Sequence, residues 1–167
     1  MNVQLLESVR KKIVLYPERF CAAHWAFARN ARRVLQEDVA AKGFRACIAG
    51  HVLLEYGSHS ERDLLREGGF HTGGPLWEDA ASALGLDRSR CRELFFPSQW
   101  DKPYKQDYYL CGEEEEPTIA AAYLDYFMQK YGRPEEAPVA PPSAQRHELA
   151  EPEKTVARGE RTAVPTS

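Results

Sequence analysis

Cys47, His51 and Glu55 stand four residues apart in KGFRACIAGHVLLEYG, residues 42 to 57, one of the most apolar runs of the chain. Thiol, imidazole and carboxylate in that order are the ingredients of nucleophilic catalysis, in which a base activates the thiol and a third group holds the base's tautomer. On a helix this spacing stacks the three along one stripe, one turn apart. Cys47 then falls in the first turn, where the helix dipole lowers a thiol's pKa. The activity implied is that of a cysteine-dependent hydrolase or transferase. Against it, side chains stacked on one helix diverge outward and leave little room for a substrate. A free cysteine is commonly a small core hydrophobe, with a histidine such as His51 hydrogen-bonded at the core's edge. Ala46, Ala49, Gly50 and Leu53 form a face small enough for another helix to approach closely. Packing is therefore the preferred reading and catalysis the alternative.

Other clusters admit other chemistry. Cys21 and His24, with Cys47 and His51, could supply four soft or borderline ligands to zinc, although the spacing is not that of a standard zinc pair. With that one alternative noted, the chain is read as needing no metal and no cofactor. GGFHTGG, residues 68 to 74, places glycines before a helix start, the ingredients of an anion site. It lacks the Gly-Lys-Ser/Thr of a phosphate loop and the strand before a dinucleotide turn, so a flexible connector is the better account. His59 and His71 flank it and are expected in solvent. Arg29, Arg32, Arg33 and Arg45 form the basic concentration of the body, either a solvated face or a contact for an acidic partner. Trp100, Tyr104, Tyr108 and Tyr109 have the composition of a binding hot spot, and equally that of a lid over a small core.

The elements that must position these residues read as helices. Val3, Leu6, Val9 and Ile13 recur at helical spacing up to Pro17. Residues 20 to 42 are Ala-rich without clear period, and helix and irregular structure stay open there. FRACIAGHVLLEY, residues 44 to 56, is expected as the central helix, closed by Gly57. Pro75 suits the first turn of a helix through PLWEDAASAL that Gly85 ends; Asp87 caps the next short helix, and Pro97 stops it. PSQWDKPYKQDYYLCG, residues 97 to 112, reads as a packed loop. The last helix begins near Pro117, with acidic residues before it and Lys130 near its end, an order that complements the macrodipole. Its expected inner face is Ile119, Ala122, Tyr123, Tyr126 and Phe127.

From Arg133 the composition changes. The last 35 residues hold six of the eleven prolines and no Phe, Trp or Tyr, too little apolar surface to offset the entropy of ordering. The expectation is a helical domain over 1–132 and a disordered tail over 133–167. At 167 residues and a net charge of -3 the chain has the size of one ordinary domain and a mildly acidic balance. That balance disfavours a duplex nucleic-acid partner, whose affinity would rest on Lys and Arg. No export signal is read, because Glu7, Arg10, Lys11 and Lys12 interrupt the first apolar positions. No run reaches the roughly 18 apolar residues of a membrane span. Four widely spaced cysteines then suggest reduced thiols and a cytoplasmic location.

Pro17, Glu18, Phe20 and Trp25, then Cys47-Ile48-Ala49-Gly50, then Leu84-Gly85-Leu86, and Leu94-Phe95 followed by Trp100, form a pattern that resembles a family of small uncharacterised bacterial and phage-encoded proteins, a domain of unknown function. The resemblance runs over roughly residues 3 to 131. Many members carry Cys-Gly where this chain has Lys42-Gly43, which weakens any metal or redox pairing of two family cysteines here. What the resemblance implies is an all-α fold; it implies no activity.

The expectation is a compact orthogonal all-α domain of about five to six helices. It would act as a small intracellular accessory or interaction module of bacterial or mobile-element type, binding a protein partner through Trp100, Tyr104 and Tyr108 or through Arg29, Arg32 and Arg33.

Overall fold

Asn2 starts the first helix. Its side-chain oxygen accepts the Leu5 N–H at 3.1 Å, satisfying one of the amides that a helix start leaves open. From there α1 (Val3–Leu15) turns Leu5, Leu6, Val9 and Ile13 inward, and Pro17 then diverts the chain into a 3-10 turn, Pro17–Arg19. The computed structural model describes residues 1–67 and 74–132. The expected tail over 133–167, His71 and most of GGFHTGG lie outside the described residues.

Seven more α-helices follow among the described residues: α2 (Ala31–Glu37), α3 (Ile48–Tyr56), α4 (Glu61–Glu67), α5 (Pro75–Leu84), α6 (Arg88–Phe95), α7 (Tyr104–Leu110) and α8 (Glu116–Tyr131). A second 3-10 turn spans Pro97–Gln99, and two short strands, β1 (Ala26–Phe27) and β2 (Arg45–Ala46), pair antiparallel. The fold is helical, as composition and period predict. α1 lies against α8, α3 and α5; α3 also packs on α5, α7 on α8, and α2 on α4. The core is centred on Trp77, Tyr123, Phe127 and the leucines around them, all closed to solvent.

Helix ends follow local chemistry. Pro75 stands in the first turn of α5, and Gly85 closes that helix at φ 61°, a backbone region costly for other residues. The Asp87 carboxylate accepts the Arg90 N–H at 2.9 Å to cap α6, and Gly57 closes α3 at φ 78°.

Three helices arise where a loop was expected or the choice was left open: α2 within 20–42, α4 within the connector, and α7 within the aromatic segment. Each is seven residues long. Helices that short are marginal alone and gain their stability from packing, which sequence period does not report. Arg62 of α4, for example, donates to the Leu35 carbonyl at 3.0 Å and pairs with Asp38, so one helix closes the C-terminus of another. The inner face of α8 is also rotated from expectation. Ala120, Ala121 and Leu124 are buried with Tyr123 and Phe127, whereas Ala122 is exposed and Ile119 and Tyr126 are only partly covered.

Candidate functional site

Residues 44 to 47 are not helical. Arg45 and Ala46 form β2, pairing with Phe27 and Ala26, and Cys47 is extended at φ -76°, ψ 178° as the N-cap of α3. The Cys47 N–H donates to the Trp25 carbonyl at 3.4 Å, and its carbonyl accepts the His51 N–H at 2.9 Å. At Gly50 the small face of α3 meets the chain around Trp25 as well as a helix: a Cβ there would stand 2.9 Å from the Ala46 Cβ, 3.0 Å from the Trp25 carbonyl oxygen and 3.7 Å from Leu64 of α4.

Cys47 is 5% exposed. Its side chain borders a hollow of about 350 Å³ with Ala22, His24, Trp25 and Phe95. Two effects compete on the thiol. Burial disfavours the thiolate, while the amides of Gly50 and Ala49 at the helix start favour it; burial wins and pushes Cys47 up to about 11. The dipole effect anticipated for a first-turn cysteine is present and outweighed.

His51 is also 5% exposed but meets a different hollow, a cleft of about 440 Å³ that shares no lining residue with the first. Its Nε2 lies 3.2 Å from the Arg19 carbonyl oxygen. A carbonyl can only accept, so Nε2 carries the proton and Nδ1 keeps a lone pair. Burial lowers the ring's pKa from 6.5, against the raising effect of that carbonyl. The ring also stacks against Phe20, with centroids 6.3 Å apart. Among the described residues it makes no hydrogen bond to the Cys47 sulfur. Glu55 faces the same cleft as His51, where it accepts the Ser8 hydroxyl at 2.6 Å and lies 3.7 Å from the Lys12 ammonium. The expected stripe is thus divided, with imidazole and carboxylate on one hollow and the thiol on another.

The zinc alternative meets a similar division. Cys21 and His24 border a hollow with Arg45 and Glu116, and His51 belongs to the other cleft. No group of three or more His, Cys, Asp or Glu is placed to hold a metal among the described residues.

The aromatic segment closes the core. Trp100 is buried, donates Nε1–H to the Leu94 carbonyl at 3.1 Å and stacks on Tyr123 at 4.5 Å. Tyr104 and Tyr108, one turn apart on α7, lean on Tyr123 and Trp100 and are half-buried. What α7 turns outward is Tyr109, 60% exposed, and Leu110, 85% exposed. Leu110 was not singled out from the sequence; the helical period from Tyr104 to Tyr108 is the signal that puts the next two residues on the outer face. Leu110 and Ile119 border a groove of about 550 Å³ together with Asp107, Glu114 and Glu115.

Of the arginines, Arg33 pairs with Glu37 at 2.7 Å and Arg45 with Glu113 at 3.6 Å, while Arg29 and Arg32 are exposed without an ion pair among the described residues. His59, expected in solvent, is partly covered, with Nδ1 3.0 Å from the Ser58 hydroxyl and Nε2 3.7 Å from Asp79. No helix among the described residues is long and apolar enough to cross a membrane. The chain was compared with protein-family models, curated proteins and solved structures, and nothing matches it.

Proposed function

We propose that the chain is a small intracellular accessory module that binds a protein partner and carries out no chemistry of its own. The observation that supports this reading is the state of Cys47: a thiol pushed up to about 11 by burial, with no hydrogen bond to an imidazole among the described residues. At neutral pH such a thiol holds on the order of one part in ten thousand as thiolate. A nucleophilic cysteine needs the opposite environment. Bacterial or mobile-element origin and a cytoplasmic location belong to the same proposal, and the residues behind the family resemblance, such as Phe20, Trp25, Leu84 and Leu94, have packing roles.

The outer face of α7 is the surface best suited to a partner. A leucine exposed this far, bordered by Asp107, Glu114 and Glu115, matches a segment that offers an apolar anchor and flanking positive charge. The test reads each cysteine separately, by iodoacetamide labelling of the native chain at pH 7 with peptide-resolved mass spectrometry. Cys21 and Cys111, both partly exposed, serve as internal standards. Cys47 is expected to label at least about 100-fold more slowly than Cys21 and to catch up only in denaturant. It should also lag Cys111, whose own thiol is pushed up by burial and by the carboxylates of Glu116 and Glu115. Native labelling of Cys47 at the rate of the standards would overturn the reading in favour of a cysteine-dependent hydrolase or transferase.

A further inference from the structure

The cleft beside α3 is not used by the interaction reading, and its chemistry is graded from inside to outside. Deep in it are two acceptors. His51 lines it with a neutral ring whose Nε2–H is committed to the Arg19 carbonyl, leaving Nδ1 without a hydrogen-bond partner among the described residues. Glu55, only 22% exposed at its side chain, accepts one hydroxyl and one distant ammonium, so its oxygens keep lone pairs to spare. Toward solvent are two donors, Lys12 at 48% and Arg19 at 41% side-chain exposure. Arg19 is paired with Glu61, which completes a charge balance of two cations and two carboxylates around the cleft. Leu54 and the exposed ring of Tyr16 supply apolar wall.

A net anion or cation entering this balance would leave one lining charge uncompensated. A molecule carrying both signs would not, provided that its donor end goes in first. Three features act together here: an imidazole nitrogen lone pair beside a carboxylate, cations at the mouth, and a volume of about 440 Å³, which holds a small molecule and leaves room for little more.

We propose that this cleft binds a small zwitterion of the α-amino-acid class, its ammonium donating to His51 Nδ1 and Glu55, its carboxylate meeting Lys12 and Arg19, and its side chain lying along Leu54 and Tyr16. The inference is independent of any partner at α7.

The experiment uses the full-length chain, uniformly labelled with nitrogen-15, and follows the His51 ring nitrogens by long-range proton–nitrogen correlation. Each of the common L-α-amino acids is titrated to about 10 mM, a range that captures the weak affinities of ligands this small. For whichever gives the largest shift, two half-ligands follow, one lacking the ammonium and one lacking the carboxylate. The expected result is a saturable shift of Nδ1, with each half-ligand at least about ten-fold weaker, the scale of one charged hydrogen bond. Lys12→Met, at an exposed position, should weaken the whole amino acid by about ten-fold without weakening the amine half-ligand, because it also removes the cation beside Glu55. Because Glu55→Gln also frees Lys12, it serves as a second variant and should weaken both. Absence of a saturable shift with every amino acid would overturn the proposal. So would an amine half-ligand binding as tightly as the intact amino acid, or affinities indifferent to both substitutions.

Discussion

The two flanks of α3 carry the same nominal burial and opposite chemistry. Cys47 and His51 are each 5% exposed. Around the thiol, backbone amides offer partial positive charge but the surroundings are apolar, and burial prevails. Around the imidazole, a carbonyl fixes one nitrogen, charged side chains from α1, α4 and the Pro17–Arg19 turn stand nearby, and the other nitrogen is left with its lone pair. Fractional exposure therefore says little about what a buried polar group can do. What it faces decides that.

Breaking the packing that separates the flanks should have the largest effect. Gly50→Val would drive a branched side chain into the Ala46 methyl and the Trp25 carbonyl, neither of which can swing aside. A loss of about 3 kcal/mol in urea unfolding is expected, at the upper end for overpacking. A wild-type midpoint in this variant would mean that the chain around Trp25 does not press on α3 as described.

Alkaline titration sharpens the thiol side of the comparison. The unfolded Cys47 ionises near 9.0 and the folded one near 11. Between those values the unfolded chain has lost a proton that the folded chain keeps, so stability falls as pH rises across that window. Cys47→Ala should remove this component, worth at most about 3 kcal/mol at the top of the window. Cys91, pushed up to about 12 by burial, contributes a parallel loss that the variant leaves in place, so the difference between the two curves is the measurement. Coincident slopes for wild type and variant would contradict a buried, protonated thiol.

The imidazole side predicts a smaller effect at acid pH. The His51 pKa lies below 6.5 in the folded chain, with Arg19, Lys12, Glu55 and Glu61 as the charged groups around it. The unfolded chain therefore takes up a proton first as pH falls through 6.5, and stability drops until the folded ring also titrates. The slope is at most about 1.4 kcal/mol per pH unit. His51→Gln, which can still donate to the Arg19 carbonyl, should flatten that part of the profile in urea midpoints taken between about pH 7 and about pH 5.5. The depressed carboxylate of Asp101, held by Lys130 and Tyr126, loses its contribution only at lower pH, below 3.8, and leaves this window clear. An unchanged slope in the variant would place His51 in water.

The C-terminal end of α3, both ends of α5 and the start of α6 were legible in the sequence because Gly57, Pro75, Gly85 and Asp87 act on their own backbone and nearest turn, within reach of local chemistry. The apolar stripe of α1 was legible for the same reason, since three of its four expected positions are buried together with Leu5. The helices α2, α4 and α7 were not, because seven residues are too few to hold themselves without a neighbour. The turn of α8 that faces inward was likewise set by the surfaces of α1 and α7 packed on it.

Taken alone, the amino-acid order determined a helical chain with defined caps and placed a thiol, an imidazole and a carboxylate within nine residues of one another. Only the tertiary structure decided that they do not work together. The pairing of Arg45 and Ala46 with a strand some twenty residues earlier straightens the backbone at Cys47, so this residue stands at the N-cap beside one hollow while His51 and Glu55 open on the other. That pairing joins residues far apart in the chain, and short strand and helix look alike in an apolar run. Local spacing could not have chosen between them.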